Sequence, residues 1–149
     1  MPSFITVKQP MGVPLITREI YDEICVHIGR MANDPSQVAN QMCEIPTVYA
    51  YYYGIMIRLK RLLDDAEDGF EEFKAAARTE KRAEGAKLTA VAGEDYVNSL
   101  EGSQGFTSDI RHLRETYGYA KGICNTLDMK KDMLIQLSAN SRQESKLYQ

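Results

Sequence analysis

The sequence is poor in the residues that metal sites and most catalytic centres need. It holds two histidines and three cysteines in 149 residues. His27 and His112 lie far apart, with no Cys or His at ligand spacing, so no metal is expected. The Glu-x-x-His pair of di-iron bundles is absent too. Cys25, Cys43 and Cys124 are odd in number and widely spaced, which suits reduced thiols in a cytoplasmic protein rather than a disulfide framework. There is no Gly-x-Ser-x-Gly elbow, no Walker-type phosphate loop and no Gly-x-Gly-x-x-Gly. The chain therefore reads as a non-enzyme with no cofactor.

Long apolar runs are also lacking. None reaches the roughly 18 residues of a membrane span. Met1-Pro2-Ser3-Phe4 shows no basic region followed by an apolar stretch, so no secretory signal is read. Neither sign of charge dominates: 18 Lys plus Arg face 21 Asp plus Glu, a net charge of −3. That excludes a broadly basic nucleic-acid protein but leaves local patches open. No internal repeat or low-complexity tract interrupts the chain. What is present is the balance of a folded protein, with 44% apolar and 26% charged residues. Disorder of the whole chain is excluded on that balance, and the length suits one domain, 1–149.

The pattern of breakers organises that domain. Pro2, Pro10, Gly12 and Pro14 mark residues 1–16 as an extended arm, with Phe4, Ile5 and Val7 to dock it. Thr17 caps a first helix to about Met31, whose Ile20, Ile24 and Ile28 recur at helical spacing. Asp34 and Pro35 start a second, short helix that Pro46 ends. A long helix over 46–84 follows. Tyr49, Met56, Leu63, Phe70 and Ala77 form one seven-spaced row, and Tyr52, Leu59, Ala66 and Phe73 another, three residues on. Together they make a heptad seam, widened by Val48, Ile55 and Leu62. Leu59, Leu63, Phe70 and Phe73 are thus candidates for core or for a subunit seam.

Residues 85–106, with Gly85, Gly93, Gly102 and Gly105, read as an irregular connector with a short strand at Lys87–Val91. Thr107 or Ser108 then caps a second long helix over 107–144, with Ile110, Leu113, Tyr117, Ala120, Cys124, Leu127 and Leu134 on its buried face. Gly118 and Gly122, one turn apart, are placed to let another helix approach. The fold class is mainly α: two long helices in an elongated hairpin, short N-terminal helices and a small irregular or β connector. A helix of about 38 residues spans roughly 57 Å. A globule of this size is only roughly 40 Å across, so the helices would overhang a monomer. A homo-oligomer, in the form of a ring, follows as the expectation.

Charge is patterned along the first long helix. Asp64, Asp65, Glu67, Asp68, Glu71 and Glu72 all fall off the seam rows, as a solvent face requires. Lys60 with Asp64 and Arg61 with Asp65 are i,i+4 pairs. Arg58, Lys60 and Arg61 precede this acidic run, and Lys74, Arg78, Lys81, Arg82 and Lys87 follow it. Between Lys74 and Lys87 five bases meet two acids. Lys60, Lys74 and Lys81 share one heptad row, and Arg61 and Arg82 the next. Such stripes displace counterions from phosphates, and Tyr51 and Tyr53, off the seam, are candidate stacking platforms.

This layout resembles the phage UvsY-type recombination mediators and related small phage proteins encoded with recombination genes. The resemblance covers roughly residues 34–144. It rests on the capped Asp34 segment, the long charged helix, Lys87-Leu88-Thr89, Glu94-Asp95-Tyr96-Val97, and a last helix with Lys130-Lys131-Asp132-Met133-Leu134 and Arg142-x-Glu144. It implies an oligomeric helical ring that binds single-stranded DNA in the host cytoplasm. Such proteins help load a RecA-like recombinase onto DNA covered by single-strand-binding protein. Lys74, Arg78, Lys81 and Arg82 would sit in the DNA-binding helix. The alternative expectation is a phage-encoded protein-interaction module, an inhibitor or assembly adaptor, that uses the acidic run or the N-terminal arm.

Overall fold

The computed structural model describes residues 7–8, 14–30 and 36–148. The arm's Phe4 and Ile5, the end of the first helix at Met31 and the Asp34-Pro35 cap lie outside the described residues. The protein is mainly helical. Two-residue strands β1 (Val7–Lys8) and β2 (Pro14–Leu15) pair antiparallel, with Val7 opposite Leu15. Helices α1 (Arg18–Arg30), α2 (Val38–Ala83), α3 (Ala90–Ser99) and α4 (Glu101–Leu147) follow. The chain divides into two compact units, unit 1 being Met1–Arg58 with Thr116–Gln149 and unit 2 Leu59–Glu115.

In unit 1, α1 starts as its sequence requires: the Thr17 hydroxyl accepts from the Ile20 amide at 3.3 Å. Its apolar stripe buries Ile24 and Ile28. The helix packs on α4, where Tyr21 stacks on Tyr119 with ring centroids 5.3 Å apart. Cys25 Sγ meets Thr126 Oγ1 at 3.7 Å. Gly122 makes the close approach possible, since a Cβ there would stand 2.8 Å from the Tyr21 ring. Gly118, read as its partner in close packing, has open space beside it. Ile16, Tyr52, Ile123, Leu127 and Leu134 are at most 2% exposed and form the core of this unit.

Pro46 does not end a helix. It lies inside α2, which runs unbroken from Val38. A proline in a helix interior costs about 3 kcal/mol, because it removes a donor and crowds the carbonyl four residues back. Here that carbonyl belongs to Met42, an exposed residue. The turns before the proline bury Val38, Gln41 and Ile45 on the seam stripe, which offsets the cost. Within the described residues there is thus one short N-terminal helix, α1.

Unit 2 corrects the connector. Glycine does end α2: Gly85 has φ +91°, its amide donates to Arg82 O at 3.0 Å, and the Ala86 amide to Lys81 O at 3.4 Å. This paired closure needs the left-handed residue that glycine supplies. Beyond it there is helix, with no strand at 87–91. Thr89 caps α3 by accepting from the Ala92 amide at 3.2 Å, and local capping outweighs the β-branched content of the segment. Only the bend at Leu100 separates α3 from α4, which begins at Glu101, well before Thr107. Thr107 is interior; its hydroxyl donates to Ser103 O at 2.9 Å. Gly102 serves packing rather than a loop, since a Cβ there would lie 3.0 Å from Phe73 Cζ. Phe106 stacks on Phe70 at 5.4 Å and meets Phe73 at 5.3 Å.

The heptad seam of α2 is buried as the spacing predicts. Tyr52, Ile55, Leu59, Leu63 and Ala77 are buried, and Met56, Ala66, Phe70 and Phe73 half-buried. Leu59 and Leu63, at 1% and 5% exposure, are core of the single chain.

Candidate nucleic-acid interface

The eight cations named from the sequence separate into two groups. Lys60 pairs with Asp64, and Lys74 with Glu71. Lys81 donates to Glu84 at 2.7 Å, which raises its pKa. Two of these ammonium groups also lie over rings, Lys74 4.6 Å from the Phe70 centroid and Lys81 5.4 Å from that of Tyr96. Arg78 is half-buried, its side chain lying along Gly93 of α3. Each of these four thus has a neighbour within unit 2 that it already meets.

Arg58, Arg61, Arg82 and Lys87 are different. All four are exposed, and none is in an ion pair among the described residues. The i,i+4 pair expected of Arg61 and Asp65 is thus not made, whereas that of Lys60 and Asp64 is. An exposed guanidinium keeps all its donors for an incoming phosphate.

Aromatic surface is concentrated in unit 1. Tyr51 is 48% exposed and Tyr53 43% exposed. Tyr51 stands edge-on to Tyr52, and Tyr53 stacks on Tyr49 at 5.8 Å, so both rings are braced by a neighbour. Arg58 follows Tyr51 by seven residues, two turns along the same side of α2. Burial, and secondarily the Asp128 carboxylate, push the Tyr49 phenol up, so the ring is neutral at physiological pH.

The acidic run makes a groove in unit 2. Glu67, Asp68 and Glu71 of α2 face Arg111 and Arg114 of α4 across about 630 Å³, with Phe70 beneath. Arg114 donates to Glu67 at 2.6 Å. Sequence reading overlooked Arg111 and Arg114 because they lie outside the dense clusters. Their i,i+3 spacing on a helix was the available signal.

Among the described residues no group of three His, Cys, Asp or Glu side chains is placed to hold a metal ion. No helix among them is long and apolar enough to cross a membrane. The chain matches no protein-family model, no curated protein and no solved structure.

Proposed function

We propose that this chain is a non-catalytic, single-stranded-DNA-binding accessory of recombination, of the UvsY-type kind that its sequence resembles. One observation supports this above the others. Half of the cations expected to meet phosphate are exposed and unengaged among the described residues, and one of them, Arg58, follows the exposed ring of Tyr51 by two turns. Arg58, Arg61, Arg82 and Lys87 then contact phosphates while Tyr51 and Tyr53 stack on bases. Lys60, Lys74, Arg78 and Lys81 contribute less, since each must first leave an internal partner.

In this reading the long helices form a hairpin, and several copies form a ring in which modest protomer affinity becomes avidity. The partners are single-stranded DNA, a RecA-like recombinase and a single-strand-binding protein. A second reading has support of its own. Unit 2 carries nine bases against 13 acids, a net charge of −4, so its acidic face suits a basic protein partner.

The test is fluorescence anisotropy of a labelled single strand at several salt concentrations, on protein of known native mass. Four phosphate contacts give a log–log salt slope of about −3 per protomer. Arg61→Gln with Arg82→Gln lowers it by about 1.4. Absence of binding at low salt by folded protein sinks the reading and leaves the acidic face.

A further inference from the structure

One crevice in unit 1 has no part in the interface just described. Val38, Ala39 and Met42 at the start of α2 and Leu137 of α4 make an apolar wall. Ser138, Ser141 and Arg142 of α4 make the polar one. The space is about 230 Å³, no carboxylate lines it, and Met42 in its lining is 37% exposed. Building on the single-strand reading above, we propose that this crevice receives one unstacked nucleobase of the bound strand. The ring lies on the apolar wall and its acceptor edge meets Arg142.

Size makes the first selection. Sites that enclose a whole small ligand measure roughly 300–1,000 Å³. A smaller slot admits one flat ring system and leaves sugar and phosphate outside. The Met42 thioether is soft and polarisable, a good surface for an aromatic face. The arginine is held in place: its Nε donates to Ser138 O at 3.3 Å and its Nη2 to Ser138 Oγ at 3.0 Å. A guanidinium has five N–H donors, so three remain directed elsewhere.

Chemistry makes the second selection. An apolar protein side chain would cover the wall but dry out the guanidinium and the hydroxyls, which costs free energy. A carboxylate would satisfy Arg142 and leave the wall wet. A base does both, since its face is apolar and its edge carries acceptors. A group that only donates also chooses among bases. Guanine offers two adjacent acceptors, O6 and N7, whereas adenine offers one acceptor beside a donor. Guanine is therefore the preferred occupant.

The experiment uses short deoxyadenosine strands in which every third base is guanine, adenine or missing. Full-length protein is titrated into each at several salt concentrations. The expected result is that guanine strands bind about fivefold or more tighter than abasic ones. Ala39→Leu, which fills the crevice from an exposed position, erases that preference and keeps the salt slope. Arg142→Lys keeps the charge, loses the fork, and erases the guanine-over-adenine difference. If Ala39→Leu loses helicity by circular dichroism, Arg142→Lys decides. Equal binding of all three strands by the wild type overturns the pocket and leaves the phosphate interface standing. So does a preference that survives both substitutions. A change of native mass in Ala39→Leu with the preference intact assigns the crevice to a protein contact and overturns the proposal. Binding to none of the strands at low salt ends both readings.

Discussion

The two units share helices but differ in what they show to solvent. Among the described residues ten large hydrophobic side chains are exposed, and nine belong to unit 1, from Val26 to Tyr148; Val91 alone belongs to unit 2. Unit 1 is nearly neutral, nine bases against eight acids, while unit 2 is at −4. Their interiors differ as well. Of the seven largest fully buried side chains unit 1 holds five, and unit 2 only Leu59 and Val97. Unit 1 thus combines the firmer core with the stickier surface. Unit 2 has a half-open aromatic cluster inside a charged surface. A charged surface keeps unit 2 solvated and suits charged partners, while exposed apolar side chains in numbers mark apolar contact surface.

The core contrast can be broken by truncation. Leu134→Ala in unit 1 is expected to cost about 2–5 kcal/mol, as for any fully buried leucine. Phe106→Ala in unit 2 removes a larger side chain, yet its ring is only half-buried, and about 1–2 kcal/mol is expected. Urea denaturation of both variants decides. Equal costs would mean that unit 2 is as firmly packed as unit 1. Hydrogen exchange sharpens the same point: α3 buries a single apolar side chain, Val97, against two in α1, so its amides are expected to exchange first among the helices.

A pair of glycines tests the docking of α1. Gly122→Ala places a methyl group against the Tyr21 ring, which is already stacked on Tyr119. Overpacking of this kind costs about 1–3 kcal/mol. Gly118→Ala meets nothing within 4 Å and is expected to stabilise the helix by about 0.5–1 kcal/mol. Thermal melts of the two variants should move in opposite directions. Two shifts of the same sign would mean that α1 does not rest on Gly122.

Thiol chemistry reports on the same unit. Cys43 is exposed, Cys25 half-buried and Cys124 buried. Burial, and then the Asp128 carboxylate, push the Cys124 thiol up. An Ellman titration of native protein should therefore find Cys43 fast and Cys124 delayed until unfolding. The unfolded thiol loses its proton near pH 8.5 while the native one keeps it. Above that pH the native state binds more protons, so stability falls as pH rises. A Cys124→Ser variant should flatten that decline.

Periodicity made much of this legible. The seam of α2 was readable because burial follows a 3.6-residue repeat, and Tyr52, Leu59 and Leu63 lie where it puts them. The Thr17 cap was equally plain. What misled was punctuation. Pro46 and Gly102 look like breaks when each residue is read alone. Their cost is local, whereas what offsets it is distant in sequence: the stripe Val38-Gln41-Ile45 for the proline and the Phe73 ring for the glycine. The charge clusters misled for a related reason. A basic stripe in sequence does not reveal that Glu71, Glu84 and Tyr96 already occupy Lys74 and Lys81. Nor did it point to Arg111 and Arg114, which lie outside the dense basic clusters and meet Glu67, Asp68 and Glu71 only through another helix.

The smallest expected effect bears on the charge difference. Glu67 and Arg114 are 40% and 65% exposed, so their pair is screened and contributes less than about 1 kcal/mol. The two ways of breaking it are not equivalent. Arg114→Gln takes unit 2 from −4 to −5 and leaves Glu67 beside Asp68 and Glu71. Glu67→Gln takes it to −3 and relieves that crowding. If the acidity of unit 2 is a real strain on its stability, Arg114→Gln destabilises slightly while Glu67→Gln is neutral or mildly stabilising. Added salt should then erase the difference, since the Debye length shrinks from about 10 Å at 0.1 M to about 3 Å at 1 M. A double-mutant cycle at both ionic strengths separates the pair from its surroundings. Equal losses from the two variants, unmoved by salt, would show that the bond itself matters and the field of unit 2 does not. The −4 would then be a property of the surface alone, available to a basic partner without cost to the fold.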